Sequence, residues 1–112
     1  VKFTTYVPIR HNDGTPFDPA YLRRVIDRLW RPFHAMTDEG LVRGRWTAPD
    51  GTHFRDTCRK ISIACDPARL IEAIRGVKKV GRRLGQEAMY FEVNGYDGVH
   101  FLYLRKGNPE GN

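Results

Sequence analysis

Cysteine is scarce in this chain: only Cys58 and Cys65 occur. They fall in one strand-like run, where their separation at about 3.3 Å per residue amounts to about 23 Å, far beyond disulfide reach. No bridge within the chain is expected. Long apolar runs are missing as well. None approaches the roughly 18 residues of a membrane span, and no charged stretch followed by an apolar core opens the sequence. These absences lead to the expectation of a reduced, cytoplasmic protein without a membrane partner. Also missing are HExxH, CxxC, histidines paired at helical spacing, a glycine-rich phosphate loop and a G-x-S-x-G elbow. No metal and no cofactor are therefore expected.

What is present reads as ordinary globular material. The chain has 112 residues, 40% of them hydrophobic and 29% charged, enough for one core and too few for two. Nineteen Lys and Arg against thirteen Asp and Glu leave a formal charge of +6, which favours acidic partners, nucleic acid above all.

The longest strand-like stretch, Thr52 to Cys65, organises the rest. Its second half alternates Ile61, Ile63 and Cys65 with Lys60, Ser62 and Ala64, the period of a strand with one face buried. Its first half carries His53, Arg55, Asp56 and Arg59. Before it, Lys2 to Val7 alternates in the same way and stops at Pro8. Asp18-Pro19 and Asp66-Pro67 each place a capping side chain before a proline at the first helical position. Helical spacing follows both, through Leu22, Val25, Ile26 and Leu29 to an end near Arg31, and through Leu70, Ile74, Val77 and Leu84 to a glycine cap at Gly85. Gly76 and Gly81 inside the second helix are expected where it approaches the sheet closely. Thr37 to Gly40 reads as a linker, Leu41 to Thr47 as a short strand, and Pro49-Asp50-Gly51 as the turn of a hairpin. Ala88–Val93 and Val99–Leu104 flank a turn-rich loop and make a second hairpin.

The order β α β β α β β points to an α+β class, a ferredoxin-like split βαβ sandwich. Its antiparallel sheet is expected in the order 4-1-3-2, with two helices on one face and an extra C-terminal strand beside strand four. Residues 1–106 form one domain in this reading and 107–112 a flexible tail. The uncovered sheet face would carry Thr4, Tyr6, Lys60, Ser62, Tyr90 and Glu92, with either Phe101 and Tyr103 or Leu102 and Leu104. A face so rich in aromatics is expected to serve as a homodimer interface.

The run W-x-x-P-D-G leading into R-D-x-x-R-K-I, Trp46 to Ile61, and L-G-Q-E-A, Leu84 to Ala88, resembles a family of small bacterial proteins of unknown function. That resemblance implies the same fold and a bacterial origin. It transfers no activity and no catalytic residue.

Three constellations carry candidate chemistry. The end of strand one, the hairpin and the end of helix two are expected at one sheet edge, gathering Arg10, His11, Asp13, His53, Arg55, Asp56, Gln86 and Glu87. His11 and His53 among carboxylates suit acid–base chemistry, while Arg10, Arg55 and Arg59 suit an anionic ligand; an ion-pair network uses the same residue types. The second constellation is the helix-two stripe of Arg75, Lys78, Lys79, Arg82 and Arg83, able to track phosphates or to lie solvated. The third is the aromatic set of the last hairpin, which lacks the sequence pattern of an RNA-recognition sheet. Cys58 reads as a buried small side chain, although Arg59 and Lys60 beside it could lower a thiol pKa. The leading expectation is a non-enzymatic, homo-oligomeric binding module with an anionic partner such as nucleic acid. The alternative is a small phosphodiesterase-like hydrolase using the His11 and His53 edge.

Overall fold

A computed structural model of the protein describes residues 1–94 and 98–104. It contains strands β1 (Lys2–Pro8), β2 (Thr37–Thr47), β3 (His53–Ala64), β4 (Ala88–Asn94) and β5 (Gly98–Tyr103), and helices α1 (Pro19–Trp30) and α2 (Leu70–Arg83). The strands form one antiparallel sheet in the order β2-β3-β1-β4-β5. This is the sheet order expected from the sequence, with β5 added beside β4. The centre of the Asn94–Gly98 loop and the tail from 107 lie outside the described residues.

Alternation decides which strand residues enter the core. Phe3, Thr5 and Val7 of β1, Ile61 and Ile63 of β3, and Met89, Phe91 and Val93 of β4 are buried against the helices. Phe3 stacks on Phe91 at 5.5 Å between centroids, and burying a side chain of this kind stabilises by about 1.5–3 kcal/mol. Thr5 can be buried on this face because its hydroxyl donates to the Tyr90 carbonyl at 2.7 Å.

α1 starts at the expected proline, whereas Pro67 opens a 3₁₀ turn and α2 itself starts at Leu70. The Asp18 carboxylate accepts from Ala20 N at 3.2 Å, and that of Asp66 from Ala68 N at 2.8 Å. One 3₁₀ turn, Pro67–Arg69, precedes α2. A Cβ at Gly76 would lie 3.1 Å from Leu29 Cδ1 of α1, and one at Gly81 only 2.7 Å from Met89 of β4 and from Leu104. Only Gly81 therefore marks approach to the sheet side, whereas Gly76 marks contact between the helices.

One boundary differs from expectation. Thr37 to Gly40 is not a linker but the first part of β2, an eleven-residue edge strand with a register shift between Asp38 and Leu41. Gly40 takes φ +94° there, and its N–H donates to Asp38. Charges from β3 hold the two acidic residues: Arg59 pairs with Asp38 at 3.2 Å and Lys60 with Glu39 at 3.4 Å. Such charges also guard an exposed edge against pairing with another chain.

Candidate functional site

Pro8 sets the location of the site. It is the last β1 residue paired with β3, opposite Cys58, so the part of the β2–β3 hairpin from Thr57 to His53 runs on beyond β1. The segment Ile9–Phe17 turns back beside it, bonded through Ile9 N to the Thr57 carbonyl at 3.1 Å. Two cavities lie where this projecting hairpin meets the sheet, and they share Pro8 and Asp56.

The larger, about 280 Å³, opens on the sheet face that the helices leave uncovered. Tyr6, Tyr90 and Phe101 form one part of its wall, Trp46 and Asp56 another, and Cys58 lies between. The pairing explains the placement, because residues opposite each other on antiparallel strands point to one face. Tyr90 is opposite Phe101, Gly44 opposite Asp56, and Trp46 opposite Phe54. Arg43 and Arg45 also border this cavity but alternate with Val42, Gly44 and Trp46, so their side chains belong to the other face of β2.

Ring contacts hold this wall in place. Tyr6 and Tyr90 stack with centroids 4.2 Å apart and planes 9° from parallel, and Phe101 meets Tyr90 edge-on at 5.8 Å. Trp46 stacks on Phe54 at 4.8 Å and donates its indole N–H to Asp56 Oδ2 at 3.2 Å. The Tyr90 hydroxyl donates to Glu92 Oε1 at 3.1 Å; burial and then that bond raise its pKa, so the phenol stays protonated. Burial, reinforced by Asp56, pushes the Cys58 thiol up to about 12. The expected influence of Arg59 and Lys60 is outweighed, and Cys58 is no thiolate nucleophile at neutral pH. Cys65 is likewise raised by burial.

The smaller cavity, about 190 Å³, is the expected edge site. Arg10, His11, His53, Arg55 and Asp56 all line it, so two of the three expected stretches meet there and the end of helix two does not join them. Other members of the set lie elsewhere. Asp13 turns away to accept from the Thr15 N–H at 2.9 Å and the Thr15 hydroxyl at 2.6 Å, bonds that hold its carboxyl below the usual range. Gln86 borders the larger cavity, and Glu87 neither. Arg59 is engaged with Asp38 on β2. The ion-pair network that would fill this edge does not form among the described residues, where Arg10 and Arg55 join no salt bridge. No cluster of three metal-ligating side chains occurs among those residues either.

Arg75, Lys78, Lys79, Arg82 and Arg83 lie on the α2 face opposite buried Ala73, Val77 and Val80. None of the five lines either cavity. Trp46 and Phe54 are the site residues that the sequence reading did not single out. A signal for them existed, since hairpin partners are equidistant from Asp50, which puts Trp46 opposite Phe54 and Gly44 opposite Asp56.

The fold defined by these elements is an α+β sandwich, five antiparallel strands with two helices, and it matches solved structures of an enzyme. Phage SAM lyase in complex with S-methyl-5'-thioadenosine is 13% identical with a TM-score of 0.62, the match covering 92% of this chain and 88% of that one. Phage SAM lyase in the apo state is 14% identical with a TM-score of 0.66, covering 93% and 89%. At such identity the shared property is the fold. No protein-family model and no curated protein matches the chain. The resemblance to a bacterial family of unknown function therefore gains no support beyond the fold.

The expectation of a non-enzymatic, homo-oligomeric module for an anionic partner is corrected by this match, because both similar structures are of an enzyme acting on S-adenosylmethionine. Nucleic-acid binding through the α2 stripe likewise finds no support. The enzyme alternative fares better, although both similar structures are of a lyase and not of a phosphodiesterase. No helix among the described residues is long and apolar enough to cross a membrane.

Proposed function

We propose that this ferredoxin-like sandwich binds S-adenosylmethionine in the larger cavity and cleaves it as a lyase, releasing S-methyl-5'-thioadenosine. The observation that carries the reading is the wall itself: stacked aromatic rings and one carboxylate, on a fold shared with SAM lyase over nine-tenths of the chain. Aromatic faces suit both halves of such a ligand. A purine stacks on them, and a sulfonium cation is attracted to their negative π faces and to Asp56. The volume of about 280 Å³ lies near the lower end of small-molecule sites, and the smaller cavity adjoins it in sharing Pro8 and Asp56.

The chemistry asks little of the side chains. When the bond from sulfur to the amino-acid γ-carbon breaks, its electron pair stays on sulfur and the cation becomes a neutral thioether. The γ-carbon takes a new pair from the substrate's own carboxylate, closing a five-membered lactone, so no water is consumed. Opposite charges annihilate in this step, and a wall of low polarity favours the neutral products over the charged reactant. A protonated Cys58 and a protonated Tyr90 fit a site that supplies no nucleophile.

Incubation of the purified protein with S-adenosylmethionine, followed by chromatography with mass detection, tests this. S-methyl-5'-thioadenosine and homoserine lactone are expected in equal amounts. Unchanged substrate in the presence of folded protein overturns the proposal. Homoserine carrying an oxygen from labelled water in its γ-hydroxyl, a position that lactone opening at the carbonyl leaves unlabelled, would make the enzyme a hydrolase instead.

Self-association through the uncovered face is a second proposal. It rests on Phe101 and Tyr103, each 52% exposed, which settle the register of β5 by pointing outward while Leu102 packs on the core. Sedimentation analysis showing a monomer at high concentration would end it.

A further inference from the structure

The smaller cavity has a chemistry of its own that the lyase reading leaves unused. Its lining includes two guanidinium groups, Arg10 and Arg55, and two imidazoles, His11 and His53, with Asp56 the one carboxylate. Asp56 already accepts from the Trp46 indole at the boundary with the aromatic cavity. Asp13, the nearest other acid in sequence, is turned to Thr15 and does not line the cavity. Two exposed arginines that form no ion pair among the described residues thus border one small space at the edge of β3, where Arg55, opposite Arg45, is on the other face of the strand from Asp56.

The frame around them is built. His11 N–H donates to the Thr15 carbonyl at 2.7 Å, Gly14 N–H to the His11 carbonyl at 2.9 Å, and Phe17 N–H to the Ile9 carbonyl at 3.1 Å. Phe17 is buried in the core, and the His11 ring packs on it at 3.9 Å. The loop carrying Arg10 and His11 is therefore closed on itself and anchored at its far end. On the hairpin side, His53 Nδ1 is bonded to the Thr47 hydroxyl at 2.9 Å, which orients that ring. Guanidinium groups on a fixed frame match the planar fork of a carboxylate.

Resting on the reading of the aromatic cavity as a sulfonium-nucleoside site, we propose that the smaller cavity receives the α-carboxylate of the same ligand, held by Arg10 and Arg55. The charge order of the site follows that of the molecule. Aromatic rings take the nucleoside, Asp56 at the shared wall faces the cationic middle, and the two arginines take the anionic end. A carboxylate has about four lone-pair positions, so two guanidinium contacts leave others for attack on the γ-carbon.

Calorimetric titration with ligands that cannot turn over separates this inference from the one beneath it. The probes are S-adenosylhomocysteine, its decarboxylated analogue, and S-methyl-5'-thioadenosine. The wild-type protein binds the carboxylate-bearing probe about tenfold or more tightly than the decarboxylated one, as charge-assisted hydrogen bonds require. Arg10→Gln and Arg55→Gln each reduce that preference, and the double variant abolishes it while S-methyl-5'-thioadenosine binds as before. If that nucleoside binds but the other two probes bind equally, or if the preference survives in the double variant, the carboxylate site is wrong and the aromatic site stands. If S-methyl-5'-thioadenosine fails to bind the wild-type protein at all, both fall together.

Discussion

Replacing Asp56 by asparagine isolates one charge with little change of shape. The amide oxygen can still accept from the Trp46 indole, so the Trp46–Phe54 stack persists and stability changes by less than about 0.5 kcal/mol. What disappears is attraction between a carboxylate and a sulfonium. Two unit charges about 4 Å apart interact by about 1 kcal/mol in water and about 4 kcal/mol at an effective dielectric constant of 20. Asp56 is half-buried on an open cavity and lies between those limits. A loss of about 1–3 kcal/mol follows, roughly a 5- to 150-fold rise in KM. Because sulfur becomes neutral as the bond breaks, the attraction is greatest in the bound reactant and fades toward the transition state. kcat therefore falls little, or rises. Steady-state kinetics with S-adenosylmethionine, beside inhibition by the neutral S-adenosylhomocysteine, give the readout: KM rises and the inhibition constant hardly moves. Equal weakening of both ligands, or a fall in kcat at unchanged KM, would refute the charge argument.

Gly81→Ala lowers stability by about 1 kcal/mol, since overpacking against Met89 and Leu104 outweighs the gain in helix propensity; Gly76→Ala, facing only Leu29 Cδ1 at 3.1 Å, is neutral or stabilising in the same urea titrations. Cys58 resists alkylation at pH 8 while the protein is folded and reacts after unfolding, as peptide mass mapping shows, because its thiol titrates only near pH 12. The sign follows: a thiol raised in the folded state adds stability below its unfolded pKa, and that contribution is lost as pH rises from about 9 through about 12. Neutralising exposed Arg75, Lys79 and Arg83 together leaves ligand affinity within about twofold, since none borders a cavity and surface charges beyond about 10 Å are screened. Phe91→Ala, which empties a fully buried position, costs about 3–5 kcal/mol in thermal or urea unfolding.

Much of this fold was legible because its signals are local. Asp18-Pro19 announces the start of α1 and Asp66-Pro67 the 3₁₀ turn that leads into α2 at Leu70, and the alternation in Lys2–Pro8 and Lys60–Ala64 separates a core face from an open one. The first part of β2 was not legible. Asp38, Glu39 and Gly40 have weak strand propensity, and it is Arg59, Lys60 and Ser62 of β3 that supply partners for the two carboxylates across the sheet. The site was half legible for the same reason. Arg10, His11, His53, Arg55 and Asp56 converge as the topology required, whereas Arg59 and Asp13 were taken by partners that periodicity cannot reveal. The aromatic residues of the open face suggested an interface. Only the way the hairpin projects past Pro8 shows that they wall a cavity.

A crystal structure of the protein grown with S-methyl-5'-thioadenosine tests the central claim most directly. The nucleoside should lie in the cavity between Trp46 and the Tyr6–Tyr90 stack, its base against an aromatic face and its sulfur toward Asp56. Density for the ligand elsewhere on the molecule, with this cavity empty at saturating concentration, would contradict it.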